Sequence, residues 1–350
     1  MFVGGEFYED LAWVTDTPAP PVVDALFLNG GRACLNVIAK YLHAKNINQI
    51  LLPSYLCPSI LDVLDQHAIS YSFYTIKEDL SIDLDDLLEK SKNHQVLYFI
   101  NYFGFHHSFE ALKILNQLQA AGMLLIEDNA QAGFTTSSIG DFCFNSLRKV
   151  CAVDGGYLAT RNLNLDYLLP VFDHPNNRLP IIRNYRSLLR TYLFEGRGKL
   201  EDLDQLFYLA EQFYEQDGVI LGDADEQKMI ERLDWQAIKA IRRNNYAYLL
   251  GQIVDLPRLN PIFPTLQAEI MPMGLPVYIS GISRDLLTAQ LAEESISLTV
   301  HWDALLSDPR TKSNPKVTSI AEKILTLPVD QYTNKSQLDY LVNNLRKATY

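Results

Sequence analysis

Between about residue 28 and residue 160 the chain alternates two periodicities, and that alternation restricts its fold more than any other feature. The segments "RACLNVIAKYLHA", "SILDVLDQHA", "LDDLLEKSK" and "SFEALKILNQLQAAG" space their apolar residues as helices do, the last stopped by Gly122. Between them "INQILLPSY", "ISYSFYTI", "QVLYFINYFG" and "MLLIED" read as strands, followed by "GDFCFNS" and "GYLAT". A strand followed by a helix returns to its sheet by a crossover, so such strands lie parallel and need helices over both faces. The expected class is therefore α/β, with a mostly parallel central sheet covered by helices on both sides.

From about residue 163 to 250 the character changes. "IIRNYRSLLRTYLFEG", "LEDLDQLFYLAEQFYEQ" and "EQKMIERLDWQAIKAIRRNNYAYLLGQI" read as successive helices rich in Tyr, Leu and Arg. Beyond Pro257 and Pro261 the periods shorten. "LPVYIS" and "SISLTVHW" suggest strands around the helix "SRDLLTAQLAEE", and "KILTLPVD" with "KSQLDYLVNNLRK" ends the chain as strand and helix. The expectation is a large α/β unit over residues 1–250 and a small α+β unit over 251–350. With 350 residues, 48% of them hydrophobic, a core of that size is affordable and a split in two is natural.

The formal net charge is −12, and the acidic residues are scattered. That weighs against nucleic acid and anionic membranes as partners, but not against a small anion held by local groups. No apolar run approaches the roughly 20 residues a membrane span needs. The opening "MFVGGEFYEDLAW" has no basic and then apolar leader, so a cytoplasmic protein is expected. Cys34, Cys57, Cys143 and Cys151 form no CxxC pair, so neither a zinc site nor a disulfide scaffold is expected.

In open α/β sheets ligands collect beyond the carboxyl ends of the strands, and three segments fall there. "LNGGRACLNV" places Gly30 and Gly31 before a helix, where unpaired amides and the helix dipole suit a phosphate; a plain turn would look the same. "MLLIEDNAQAG" ends a strand on Glu127 and Asp128, either a turn-capping acid or a carboxylate that pairs with a cation in the site. "FNSLRKVCAVDGGYLAT" sets Lys149 between apolar stretches, where an amine must reach the surface along its stem or be neutral, paired or covalently engaged. Together, a phosphate cradle, an acid for a ring nitrogen and a lysine about twenty residues later form the outline of a pyridoxal phosphate site.

These motifs resemble the DegT/DnrJ/EryC1/StrS family of sugar aminotransferases, which are fold-type I pyridoxal phosphate enzymes. The similarity runs through "GGEFYED", "LNGGRACLNVIAKYL", "ILLPSYLCPS", "YFINYFGFHHSFEAL", "LLIEDNAQAGF", "GDFCFNSLRKVCAVDGGYLAT", "SISLTVHWDAL" and "ILTLPVDQYTNKSQLDYLVNNL". "EDNAQA" with the spaced lysine and Gly-Gly is its specific part. The resemblance implies that Lys149 holds the cofactor as a Schiff base, that Asp128 pairs with the pyridine nitrogen and that Gln131 approaches the phenolic oxygen. It implies a phosphate held around Gly31, Arg32 and Ala33. Arg32 stands where many members have Thr, and Phe144 where they have a phosphate-binding Ser, for which Ser146 is the replacement. Cys57 takes the place of an aromatic that stacks on the cofactor. The family's "NxR" substrate segment has no clear counterpart, and "RNYRS" supplies Arg183 and Arg186 as candidates; Tyr102 and His301 are further substrate candidates.

What the resemblance implies for function is amino transfer from an amino acid, L-glutamate by the family's habit, to a carbonyl acceptor such as a keto-sugar nucleotide. It also implies a homodimer with shared active sites, for which the helices over residues 181–250 are the candidate contact. Two alternatives stay open: lyase or dehydratase chemistry on the same cofactor, and an inactive scaffold or regulator. Retention of Lys149 opposes the family's dehydratase variants, which carry His there. Retention of Asp128, Gln131 and Lys149 together opposes the scaffold.

Overall fold

A computed structural model describes residues 1–16, 25–134, 138–161, 163–165, 175–216 and 221–349. After a two-residue strand β1 (Val3–Gly4), a central sheet is built from β2 (Leu26–Leu28), β3 (Gln49–Pro53), β4 (Ser70–Tyr74), β5 (Val96–Ile100), β6 (Leu124–Asn129), β7 (Phe142–Asn145) and β8 (Gly156–Thr160). Their spatial order is β2-β8-β7-β6-β5-β3-β4. β7, β6, β5, β3 and β4 run parallel, whereas β8 runs against both of its neighbours. The crossovers are α1 (Gly31–Ala44), α2 (Pro58–Gln66), α3 (Leu84–Ser91) and α4 (Phe109–Ala120). β5 is buried along its whole length, as a strand covered on both faces must be. The alternation in the sequence thus becomes the expected α/β sheet; β2, an antiparallel edge strand, is the one element of that sheet the periodicity did not show.

The helix starts follow side-chain chemistry. Ser108 accepts the Ala111 N–H at the head of α4, Asp83 accepts the Asp86 N–H at the head of α3, and Pro58 fills the first turn of α2. Only α1 among these begins on glycine, at Gly30, with no side-chain cap.

The later helices are α5 (Arg178–Glu195), α6 (Leu200–Gln216), α7 (Ala224–Glu231) and α8 (Trp235–Gln252). The last two were expected as one continuous helix. Asp234 divides them, because its carboxylate accepts the Ala237 N–H and starts a new helix. α5 and α6 form a hairpin around Leu179, Ile182, Tyr185, Leu189, Leu203 and Ala210, a small core of its own.

The C-terminal part contains β9 (Leu259–Pro261), β10 (Leu275–Ile279), α9 (Arg284–Glu293), β11 (Ile296–Ser297), α10 (Pro315–Lys323), β12 (Ile324–Leu327) and α11 (Lys335–Thr349). β12, β10 and β9 form an antiparallel sheet, and β11 pairs with β1. "SISLTVHW" was expected as a full strand. Only Ile296 and Ser297 pair as one, with an isolated bridge at Thr299, so the segment's β-branched composition outran its partners. The main core is continuous, running from Leu51, Leu97 and Ile126 of the large sheet to Leu275 and Leu325 of the small one. No helix among the described residues is long and apolar enough to cross a membrane.

Candidate active site

Five element ends meet at the carboxyl edge of the parallel sheet. Near the carboxyl ends of β5, β6 and β7, Ile100, Asp128 and Phe144 lie side by side as register partners. α1 and α2 point their N-termini into the same cleft, which Gly31, Arg32 and Leu35 line from one helix and Cys57, Ser59 and Ile60 from the other. The cleft is open to solvent on one side.

Its anion-binding end is α1. Gly30 has φ 134°, a conformation that L side chains rarely adopt, and it leaves the first N–H groups of the helix without a side-chain cap. A Cβ on Gly31 would come within 3.3 Å of Ser146 Cβ, so bare backbone lies directly against the loop after β7. On the other side a Cβ on Gly156 would sit 2.3 Å from the Asn145 carbonyl oxygen and 3.2 Å from Gly30 Cα. That close approach explains Gly156, which lets β8 press against the start of α1, while a Cβ on Gly155 would strike the Phe27 ring at 2.4 Å.

At the end of β6 two adjacent carboxylates face opposite ways, as the two-residue period of a strand requires. Glu127 turns away from the cleft and accepts five hydrogen bonds, from Asn101, Asn129, Ser138 and the amides of Ile139 and Gly140. It ties the loop before β7 to the sheet. Asp128 lines the cleft, accepting the Tyr98 hydroxyl at 2.5 Å and the Ala130 N–H at 2.8 Å. Burial pushes its pKa up to about 6, and the two hydrogen bonds only partly oppose that rise. No cation among the described residues pairs with it.

Gln131 also lines the cleft. Its oxygen accepts the Phe103 N–H at 2.7 Å, which fixes the amide and leaves its NH₂ group as a donor. Phe103 itself is held at φ 55°, and Gly104 follows at φ 88° with its Cα–Cβ direction blocked by the Met271 carbonyl.

Lys149 ends a single 3-10 turn, Leu147–Lys149. The turn is pinned by Leu147 N–H to the Gly155 carbonyl at 2.8 Å, and from below by Arg242 and Gln331, which both donate to the Val150 carbonyl. Arg242 is fully buried and donates also to Gln331, Pro272 and Met273, so α8 and the C-terminal segment hold the loop rigidly. The Lys149 side chain is exposed, but to the cleft, which is walled by protein. Desolvation there, with the Arg148 cation next in sequence, lowers its pKa from the ordinary lysine value. Its amine makes no hydrogen bond or ion pair among the described residues. A lowered pKa favours the neutral amine, the form that attacks an aldehyde or takes a proton from carbon.

The other expected residues fall as follows. Ser146 and Cys57 line the cleft; Cys57 is the N-cap of α2, its thiol 3.1 Å from the Ser59 hydroxyl. Ala33 is buried in α1 and does not line the cleft. His301 is buried beside Phe103, hydrogen-bonded to Thr326, and burial with the nearby Lys149 pulls its pKa down to about 3. Tyr102 is buried and donates to the Tyr55 carbonyl, outside the cleft. Arg183 and Arg186 are not in the cleft either. They line a second cavity beyond Cys151–Val153, where Arg186 pairs with Asp154 at 2.5 Å and Arg183 with Glu226 at 2.8 Å. Four polar or aromatic residues of the cleft escaped the sequence reading: Tyr98, Ser59, Arg148 and Trp302. Tyr98 lies two residues before Ile100, on one face of β5, and Arg148 and Trp302 adjoin residues already singled out.

No family model matches the sequence, and no curated protein matches it. Solved structures do. PseC of Helicobacter pylori, an aminotransferase involved in the biosynthesis of pseudoaminic acid, is 14% identical and superposes with a TM-score of 0.70 over 94% of this chain and 87% of its own. DesV of S. venezuelae, solved with a ketimine intermediate, is 19% identical, with a TM-score of 0.65 over 97% and 87% of the two chains. Spr1654 of Streptococcus pneumoniae in its PLP form is 15% identical, with a TM-score of 0.68 over 97% and 93%. The fold is therefore the fold-type I architecture of these proteins along nearly the whole chain.

Proposed function

We propose that the chain is a pyridoxal phosphate-dependent aminotransferase of the DegT/DnrJ/EryC1/StrS family, moving an amino group from an amino acid, L-glutamate, to a carbonyl acceptor of the keto-sugar nucleotide class. The observation that carries the reading is the joint presence in one cleft of an unpaired Lys149 amine, a buried Asp128 lacking a cation, a fixed Gln131 donor and an uncapped helix start at Gly31. The residues present fit the cofactor group by group. The amides of Gly31 and Arg32, with Arg32 and Ser146, suit the phosphate. Asp128 suits a protonated ring nitrogen, which would supply the countercharge that its raised pKa shows it lacks. The Gln131 NH₂ suits the phenolic oxygen, and Lys149 the aldehyde.

When bound, the cofactor supplies an electron sink for the carbanion formed at the donor's Cα. Lys149 would anchor it and, once displaced by the donor, carry the proton from that carbon as general base and then as acid. Asp128 would keep the ring nitrogen protonated, and Tyr98 holds Asp128 in place. Arg242 and Gln331 keep the loop, and so the amine, at a fixed position. The sugar acceptor is supported by the fold shared with PseC and by the similarity to DesI, whose structure was solved in the presence of its TDP-sugar product. The PLP and PMP forms of Spr1654 support the cofactor.

The test is the visible absorbance of the purified protein titrated with pyridoxal phosphate, for wild type and Lys149→Ala. A band in wild type that L-glutamate bleaches, and that the alanine variant does not form, is expected. No band in wild type would overturn the reading, and a band that no amino donor changes would move it to lyase chemistry.

A further inference from the structure

The cofactor reading leaves one cation of the cleft without a role. Arg32, Arg148 and Lys149 line the cleft together with Asp128. If the α1 start and Arg32 take the phosphate and Lys149 the aldehyde, Arg148 faces the same space with its charge uncommitted to the cofactor.

Arg148 is held by Glu211 of α6, Nη1 to Oε1 3.0 Å, and Glu211 is shared with Arg178 at 2.8 Å. The two side chains of the Arg148 pair keep 19% and 29% of their surface exposed, so the pair is partly buried, and Arg148 is its member that reaches the cleft. Glu211 keeps Arg178 as a partner when a second carboxylate takes up Arg148. A guanidinium also matches a carboxylate through two parallel N–H···O bonds, which fixes orientation as well as charge. Because Arg148 and Lys149 are consecutive in one rigid turn, a carboxylate on the first places its own amino group close to the second.

We propose that Arg148 receives the carboxylate of the amino donor, and that Glu211 holds the guanidinium in position until that carboxylate takes over. The proposal rests on the aminotransferase reading above. It assigns Arg148 as a substrate-binding residue and Glu211 as a positioning residue, and it makes donor selection a property of the α5–α6 hairpin.

The test uses the cofactor-loaded protein, following the visible band as L-glutamate, L-alanine or the non-reactive dicarboxylate glutarate is added, for wild type, Arg148→Leu, Arg148→Lys and Glu211→Gln. Arg148→Leu should raise the half-saturating glutamate concentration about 10- to 100-fold, as loss of a charged hydrogen bond does, with a smaller change in the limiting rate. Its cofactor titration should match wild type, and Arg148→Lys should recover part of the loss. Glu211→Gln should move glutamate and glutarate binding the opposite way, to lower concentrations, which loss of a merely structural pair would not do. A parallel loss with L-alanine would assign the α-carboxylate, and a loss confined to L-glutamate and glutarate the distal one. Unchanged glutamate saturation in Arg148→Leu would overturn the proposal. So would weaker cofactor binding with unchanged donor binding, which would make Arg148 a phosphate ligand. Absence of the band in wild type would instead overturn the underlying cofactor reading.

Discussion

The cleft at Lys149 and the cavity at Arg186 lie along one segment, residues 146–155, and differ in how their charges are matched. In the cavity, Asp154 meets Arg178 at 2.6 Å and Arg186 at 2.5 Å, while Glu226 takes Arg183. Burial alone would raise the Asp154 pKa, but the two guanidiniums overcome it and bring the carboxyl down to about 2. In the cleft, burial wins: Asp128 goes up to about 6, and the Lys149 amine goes down. The difference teaches how to read buried charge. Charges neutralised by partners from α5 and α7 hold the catalytic segment in place, whereas those left unmatched mark where a ligand supplies the counterpart. The lining makes the same point, since the cavity sets Glu9, Asp10, Asp225 and Glu226 against its two arginines and disfavours an anion.

The contrast is broken most severely at Asp154. Asp154→Asn leaves Arg178 and Arg186 in a buried site with their shared carboxylate gone, and should cost about 3–5 kcal/mol in urea unfolding at pH 7. Because the folded pKa is depressed, this contribution is complete above the ordinary carboxyl value of 3.8 and is lost as pH falls from there toward about 2. A cost under about 1 kcal/mol would mean that the network is not what holds the segment.

Asp128→Asn should act with the opposite sign. The folded carboxyl binds its proton more tightly than the unfolded one, so the native state carries a penalty above pH 6 that is absent below 3.8. In the cofactor-free protein the substitution should stabilise by about 1–3 kcal/mol at pH 7, and the gain should vanish as pH falls from 6 to 4. Loaded protein should show a loss instead, because the ring nitrogen then pairs with Asp128. Equal effects in both forms would remove the assigned partner.

The smallest effect is expected at Arg183, which is 44% exposed in its pairs with Asp223 and Glu226. Arg183→Ala should change stability by under about 1 kcal/mol and leave glutamate saturation as in wild type. A large loss of donor binding would place the substrate in the cavity rather than the cleft.

Much of this was legible in the sequence where one strand or one turn sufficed. β3, β5 and β6 announce themselves as apolar runs, and Asp128, Gln131 and Lys149 fall at strand ends that the sheet must bring together. What stayed hidden depends on pairing between distant segments. Nothing in the helical period of "RNYRS" says that Arg186 meets Asp154 rather than a substrate. Tyr98 reads as one more strand aromatic until its register places it against Asp128. The division at Asp234 turned on a single cap within an unbroken helical pattern, and Arg148 drew less notice than the lysine beside it.

The most direct test of the central claim is to load the protein with pyridoxal phosphate, reduce it with borohydride and map the modified peptide by mass spectrometry. The account predicts a phosphopyridoxyl group on Lys149, lost in Lys149→Ala. Labelling spread over surface lysines, or unchanged by that substitution, would contradict it.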